Sequence, residues 1–598
     1  MSHRRVDLAV HFVAACLAVG SAALTAAAQK AKVESQVLLT AEPGVQYAIS
    51  PKGQHVAAVV LRGSRQVMVY DGTDGPRFDE ILRLQNVNGG YVAFSDDGNR
   101  YAYFGRVGQE FVVVVDGKEV HRGAWDPQLA AIAQSPVHQL GFTPGSKHWY
   151  VILLKRDPAR QHWQMVIDGA AGPVSEDIIQ PLWSPDGEHH AYLQKIDPGT
   201  AQPRQALIVD AKTAPYLAGE PQWTADSKHL FTKRIVPRVI GMEVLADGQP
   251  IMRADGIQLY MAPTGPGVLG VAWAAPPNGA RHAFLTVGNR KVPGSECTDG
   301  AGLSNVFISS DAKHFAARCR TWIMTDGKKG QEYAEGVSNA SFTADGRSVY
   351  QGRTNNKSFL IVGDQESDAY SLIIQPSTGT RANGNLTNLE QAPATIRGNK
   401  VGYIARSTLN GAEYVVVVDG KKMPALNATS LTFSPDGSRF AFLAGHPAQS
   451  PNVDGTAYTN MTVDPAIGNI GFQGTFQWSA DNKHVAWITA AQQGVFGVGL
   501  DGKLIAAIGM PRYLKFTADG KHLVWLVRAP PGSIAFVDGE KVLELPDNLA
   551  LVNEADIRWS FPEDGTIVFI AQDGDAMKRF KITPGSETSV ETALAKAK

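Results

Sequence analysis

One short phrase recurs along this chain: an aromatic or apolar residue, Ser or Thr, a variable residue, Asp, Gly, and then an alternating apolar strand. Clear copies are Phe94-Ser-Asp-Asp-Gly98, Trp183-Ser-Pro-Asp-Gly187, Phe342-Thr-Ala-Asp-Gly346, Phe433-Ser-Pro-Asp-Gly437 and Phe516-Thr-Ala-Asp-Gly520. Degenerate copies occupy Ile49–Gly53, Phe142–Ser146, Trp223–Ser227, Ile308–Ala312, Trp478–Asn482 and Ser560–Gly565. Two weaker ones stand at Pro277-Asn278-Gly279 and Arg397-Gly398-Asn399. The thirteen turns follow one another about every 43 residues from Gly53 to Gly565. A period of that length marks stacked supersecondary units, none of which can bury its apolar surface alone.

Asp-Gly is the hairpin dipeptide, because Asp tolerates a positive φ and Gly adopts it without a steric penalty. Of the 60 glycines, 19 directly follow an aspartate, which points to many hairpins and away from helical bundles and doubly wound α/β folds. A second turn family shares the period, as in Phe111-Val-Val-Val-Val-Asp-Gly117 and Tyr414-Val-Val-Val-Val-Asp-Gly420, with kin at Asp168-Gly169, Asp210 and Asp538-Gly539. Two hairpins in each repeat give four strands, the make-up of a propeller blade. The expected fold is therefore all-β, with tandem β-propellers built from about thirteen four-stranded blades. Thirteen exceed the usual four to eight in one ring, so two rings are expected, seven plus six or six plus seven. The preferred division places a first propeller at 37–336 and a second at 337–590, with an alternative boundary near Ser295-Glu296-Cys297. The segment Val37–Thr40 is expected to supply a strand to an incomplete last blade ending near Phe580–Thr583.

Residues 1–28 have the form of a secretory signal peptide: basic His3, Arg4 and Arg5, an apolar stretch from Leu8, and the small-residue run Ala26-Ala27-Ala28. This implies a periplasmic or secreted protein with no transmembrane span after cleavage. A lipid anchor on Cys16 and an uncleaved signal are the alternatives. Past the signal only Cys297 and Cys319 remain, forming either a disulfide or two buried thiols. The balance of 56 Lys+Arg against 57 Asp+Glu shows no basic footprint for nucleic acid.

The aromatic-Ser-Pro-Asp-Gly phrase with Val-Val-Val-Asp-Gly-Lys in the same repeat resembles the WD40-like repeat of TolB-type β-propellers. It is also similar to the propeller halves of dipeptidyl-peptidase-like proteins, without their hydrolase domain. The first resemblance implies an exported propeller that binds other envelope proteins.

Chemical motifs are sparse. The chain has no GxSxG elbow, HExxH zinc motif or Walker A sequence. A GxGxxG string, Gly265-Pro-Gly267-Val-Leu-Gly270, leads into an apolar strand instead of a helix and reads as a blade loop. Asp71-Gly-Thr-Asp74-Gly lacks the acidic positions of a calcium loop and reads as tandem turns. Seven histidines share one repeat position, two residues after the turn: His55, His148, His189, His229, His314, His484 and His522. Sheets pack about 10 Å apart, too far for side chains of adjacent blades to share one metal at ligand distance of about 2 Å. These histidines therefore read as polar residues opening a strand. No catalytic or metal-ligating residue and no cofactor is assigned. The expected function is an exported binding or scaffold module without intrinsic catalysis. Its partner would be another envelope or extracellular protein, or a small ligand, docked on a propeller face or channel. The alternative is a carbohydrate- or peptide-directed hydrolase or lyase with channel residues drawn from several blades. The longest irregular inserts, Gln365–Asn399 and Ala246–Gly267, are the expected docking regions.

Overall fold

The computed structural model describes residues 31–597 apart from connecting stretches, the longest being 375–393, 464–475 and 546–558. The signal segment 1–28 and Cys16 lie outside the described residues. The described strands form thirteen small antiparallel sheets, blades of a β-propeller, numbered here in chain order. The third is representative, with Val137–Phe142, Trp149–Arg156, Gln161–Ile167 and Ala170–Ser175 paired in sequence order. In the second, eighth and ninth sheets the first strand comes in two pieces, for example Glu80–Ile81 and Ala93–Phe94.

Contacts divide the chain into two compact units: residues 1–44, 52–56 and 448–598, and residues 45–51 and 57–447. The larger unit holds the whole of the second to ninth sheets, and the smaller the whole of the eleventh to thirteenth. Within each unit the apolar faces of consecutive sheets close on one another. Phe104, Val113 and Val115 of the second sheet pack in one cluster with Leu140, Val151 and Leu153 of the third. Ile488, Val498 and Leu500 of the eleventh do the same with Leu523, Trp525 and Val527 of the twelfth. Every one of these side chains is buried. At about 25 cal/mol per Å² of apolar surface, this mutual covering stabilises what no isolated four-stranded sheet could.

Eleven of the thirteen expected turns join the first and second strands of a sheet, and the one at Gly565 joins the bridge residue Ser560 to Ile567–Asp573. Their left-handed residue is glycine at eight positions, with φ from 56° at Gly398 to 83° at Gly346, and Ser146, Ser227, Ala312 or Asn482 at similar φ elsewhere. The sixth sheet is the exception. Its strands are Gly256–Met261, Val268–Ala274, His282–Val287 and Arg290–Lys291. Pro277-Asn278-Gly279 lies outside the described residues, but it connects the second and third of those strands, so that repeat was placed out of phase. The first and second strands of this sheet are linked between Met261 and Val268; Gly265 and Gly267 of the GxGxxG string lie outside the described residues, and Gly270 lies within Val268–Ala274. The expected insert Ala246–Gly267 is likewise corrected. Most of it is regular, with Gln249–Ala254 closing the fifth sheet and Gly256–Met261 opening the sixth. Its polar residues are those of sheet-edge strands, which look like loop in sequence. Of Gln365–Asn399, the central 375–393 lies outside the described residues.

The second turn family closes the third and fourth strands. Asp116 (φ 50°) and Gly117 (φ 78°) are typical, and Asp168, Asp247, Asp326, Asp419, Asp501 and Asp538 repeat the geometry. Two successive positive φ values define the type I′ hairpin, whose twist matches that of its strands. In the string Asp71-Gly-Thr-Asp74-Gly only Asp71-Gly72 is such a turn; Asp74 sits in Thr73–Phe78 and pairs with Arg62 at 3.1 Å.

The thirteenth sheet orders Ile567–Asp573, Ala576–Pro584 and, on its outer side, Ala31–Thr40. The borrowed strand is longer than Val37–Thr40, running antiparallel from Ala31 opposite Pro584 to Thr40 opposite Ala576. Ala31 and Val33 pack on the Phe569 and Phe580 cluster, while Lys32 and Glu34 face outward. The chain ends in a helix, Val590–Lys596, capped by Ser589, whose hydroxyl accepts the Thr592 N–H. No helix among the described residues is long and apolar enough to cross a membrane.

Candidate functional site

The polar residues of the repeat converge on the turn-bearing ends of the sheets. In the first turn, Ser95 Oγ donates to Asp97 Oδ1 at 2.5 Å and accepts the Arg100 N–H at 3.0 Å. Asp97 in turn accepts the Asn99 N–H at 3.2 Å. The same triangle recurs with Ser184 and Asp186, Thr224 and Asp226, Ser309 and Asp311, Ser479 and Asp481, and Thr517 and Asp519. Burial would raise the Asp97 carboxyl, but the bonds from Ser95, Asn99 and Ser146 outweigh it and bring the pKa down to about 2. Asp186 and Asp311 are lowered chiefly by their serine hydroxyls, and Asp436 chiefly by the Ser438 N–H. Where serine replaces the turn glycine, its hydroxyl reaches back to the preceding sheet. Ser146 Oγ donates to Asp97 at 3.0 Å, and Ser227 Oγ accepts the Asp186 N–H at 3.0 Å.

The histidines do more than open strands. In six of the seven, Nδ1 meets a carboxylate oxygen of the aspartate in the same sheet's second turn. The pairs are His148–Asp168 (2.5 Å), His189–Asp210 (2.9 Å), His229–Asp247 (2.7 Å), His314–Asp326 (2.8 Å), His484–Asp501 (2.7 Å) and His522–Asp538 (2.7 Å). The other oxygen of each aspartate accepts the N–H of the residue after the histidine, as Asp538 does from Leu523 at 2.8 Å. One aspartate thus ties the inner hairpin of a blade to its outer hairpin. Where histidine is absent, a longer cation substitutes: Arg100 bonds Asp116 at 2.9 Å and Lys400 bonds Asp419 at 2.5 Å. The eighth sheet has Gly363 in place of that aspartate, and its Arg347 turns back to Asp345 and on to the Asn399 carbonyl of the ninth. This pairing was missed from sequence, although one signal was present: the strand-opening cation and the second-turn aspartate occur in the same repeats.

Two histidines carry a second carboxylate. His148 Nε2 approaches Glu188 of the fourth sheet at 3.2 Å, and His484 Nε2 approaches Glu591 of the C-terminal helix at 3.4 Å. Both are raised above the ordinary histidine range. Asp168 and Asp501 are the principal causes, burial opposes them, and Glu188 and Glu591 add to them. His484 lies in a cleft of about 380 Å³ in the smaller unit, lined also by Lys483, Lys521, His522 and Ser589. At the opposite ends of the strands, carboxylates are paired with cations of the same sheet. Asp177 meets Lys195 at 2.8 Å, Glu335 meets Arg353 at 2.9 Å, and Glu220 meets the buried Lys233. No group of three or more His, Cys, Asp or Glu among the described residues is placed to hold a metal ion.

Cys297 and Cys319 are joined by a disulfide between the end of the sixth sheet and the second strand of the seventh. Their Cα atoms are 5.8 Å apart. The bridge lies in a buried cluster with Val271, Leu285, Ala317 and Met324.

No protein-family model matches this chain. No curated protein matches it either. Among solved structures it is similar to the β-propeller domain of the Trilobed protease from Pyrococcus furiosus, at 11% identity and a TM-score of 0.20, covering 53% of this chain and 94% of that one. It is also similar to TolB from Acinetobacter baumannii, at 15% identity and a TM-score of 0.18, covering 44% of this chain and 76% of that one.

Proposed function

We propose that this chain is an exported β-propeller module that binds and positions a partner, with no chemistry of its own, and that its blades form two rings of seven and six. The observation that carries the binding reading is how the repeat's histidines and aspartates are used. Each of six histidines has Nδ1 held by an aspartate that also caps a backbone N–H, so this polar apparatus builds blades. A general base or nucleophile needs a group left available to a substrate; these are engaged with the scaffold. Recognition then falls to side chains that vary from blade to blade along the turn-bearing face, as at the cleft beside His484. A disulfide within the larger unit supports an oxidising compartment, in keeping with the signal-like residues 1–28.

The test is affinity capture from an envelope extract with the full mature protein, alongside turnover assays on glycoside, polysaccharide and peptide panels. Retention of a defined partner without turnover is expected. Multiple turnover of any panel substrate, lost on substituting turn-face residues, would overturn the reading.

A further inference from the structure

Two junctions between consecutive sheets present the same Lys-His pair in different company. At the third, Lys147 and His148 follow the inner turn, and Glu188 of the fourth sheet answers both, at 2.5 Å from Lys147 Nζ and 3.2 Å from His148 Nε2. Glu188 stands two residues after the turn aspartate Asp186. At the eleventh sheet the pair is Lys483 and His484, but the position two residues after Asp519 in the twelfth sheet is Lys521. A second cation therefore stands where the first junction has its carboxylate. Lys521 has no ion-pair partner among the described residues. The missing acid is supplied from elsewhere in the same unit, by Glu591, whose carboxylate reaches His484 Nε2 at 3.4 Å while its side chain stays 73% exposed. Its helix is held independently: the Val590 N–H donates to the Lys521 carbonyl at 2.9 Å, Lys503 caps the Leu594 carbonyl at 2.9 Å, and Val590 and Ala593 are buried. Beside Glu591 the cleft of about 380 Å³ remains open.

We propose that this cleft is a carboxylate-binding site for an acidic peptide segment of a partner, with Glu591 as its resident intramolecular competitor. The inference rests on the binding-module reading and gives that reading the chemistry of its ligand. The Gly520 turn of the twelfth sheet packs against Asp481 of the eleventh, so Lys521 and Lys483 open onto the same cleft. Lys483 and Lys521 can therefore meet two acidic side chains of one short peptide segment. His484 and His522, each with Nδ1 anchored on an aspartate, line the same cleft. Asp481, at 3.5 Å from Lys483, and Glu591 are the negative groups that such a ligand must work against.

The experiment is fluorescence anisotropy of a labelled, end-blocked Glu-Ala-Ala-Glu peptide with the full mature protein at low salt. Gln-Ala-Ala-Gln and Lys-Ala-Ala-Lys peptides serve as probes of the same length. Glu591→Gln should tighten binding about fivefold by removing the competitor, and Lys521→Glu should weaken it tenfold or more. Both positions are exposed, and unchanged melting curves check that the variants fold; Lys521→Gln, with an intermediate loss, is the milder companion. Equal binding of the glutamine peptide, preference for the lysine peptide, or no change in Glu591→Gln would overturn the proposal. If Lys521→Glu still retains the partner captured from the extract, this site fails and the scaffold reading stands. Multiple turnover removes the scaffold reading instead.

Discussion

The sixth and twelfth sheets solve the same problem by different means. In the twelfth, Thr517, Asp519, His522 and Asp538 tie both hairpins together, and Asp538 is buried with both its partners in place. The sixth lacks the Ser-x-Asp-Gly turn in phase, and its second strand opens on Val268 where other sheets have a histidine or a longer cation. There the chain continues past its short fourth strand to Cys297, which bridges back to Ala283 through the backbone and to Cys319 of the next sheet through sulfur. A covalent clamp stands where the hydrogen-bonded one is missing. A four-stranded sheet needs something to hold its hairpins in register beyond apolar burial, and the two clamps differ in kind: one is a covalent bond that a reductant breaks, the other a hydrogen-bonded pair.

The largest effect is expected from breaking the covalent clamp. Closing a loop with a sequence separation of 22 residues corresponds to about 3 kcal/mol. Cys297→Ala with Cys319→Ala, or reduction, should deprotect the amides of the sixth and seventh sheets by that amount in hydrogen exchange and leave the twelfth unaffected. Uniform loss across all sheets would contradict a local clamp. Next comes Asp538→Ala, which orphans the buried Leu523 N–H and costs about 2 kcal/mol at the twelfth sheet. Asp247→Ala removes the same pair in the fifth sheet, where the side chain is half exposed, and should cost about 1 kcal/mol or less. Equal losses at the two sites would mean that burial does not set the strength of the pair.

A pH series separates the clamps further. The folded-state pKa values of His148 and His484 are raised, so their contribution is full below the unfolded histidine value and is lost as pH rises through the folded one. His484→Gln should therefore lower the melting temperature more at pH 5.5 than at pH 8.5, whereas the effect of the cysteine pair should not vary between those values. The opposite trend for His484 would exclude its carboxylates as the cause. Asp97 has the reverse sign: its lowered pKa stabilises above the unfolded aspartate value, and this is lost as pH falls toward about 2. The smallest change is expected at Ser146→Gly. It gives up the bond to Asp97 but relieves a positive φ of 63°, and the two should cancel to within about 0.5 kcal/mol in the same melts.

The blades were legible because their turns need particular residues. Asp-Gly at two phases marks both hairpins, and even the degenerate Trp223–Ser227 and Trp478–Asn482 keep a small or polar residue at the left-handed position. The phase of the sixth sheet was hidden because Pro277-Asn278-Gly279 has the residue types of a turn; only strand pairing shows that it falls between the second and third strands. The histidine partners were hidden for a different reason. His314 and Asp326 are 12 residues apart and His189 and Asp210 are 21, so the variable length of the intervening hairpin blurs the pairing that the shared geometry restores. Glu591 carried no repeat signal, because it takes the place of a blade residue from outside the blades.

The strand Ala31–Thr40 gives the order of synthesis a structural meaning. Its partner, Ala576–Pro584, is made more than 500 residues later. The thirteenth sheet is thus the one blade that cannot be assembled by neighbours as they emerge, and its outer strand waits while more than 500 residues are added. Loop-closure entropy grows only logarithmically, at about 0.6 kcal/mol for each doubling of length, so this long closure is tolerable in free energy. Its burden is in time, since contacts distant in sequence form late. The thirteenth sheet is therefore completed late: until Ala576–Pro584 has been made, the polar strand Ala31–Thr40 has no place to pair.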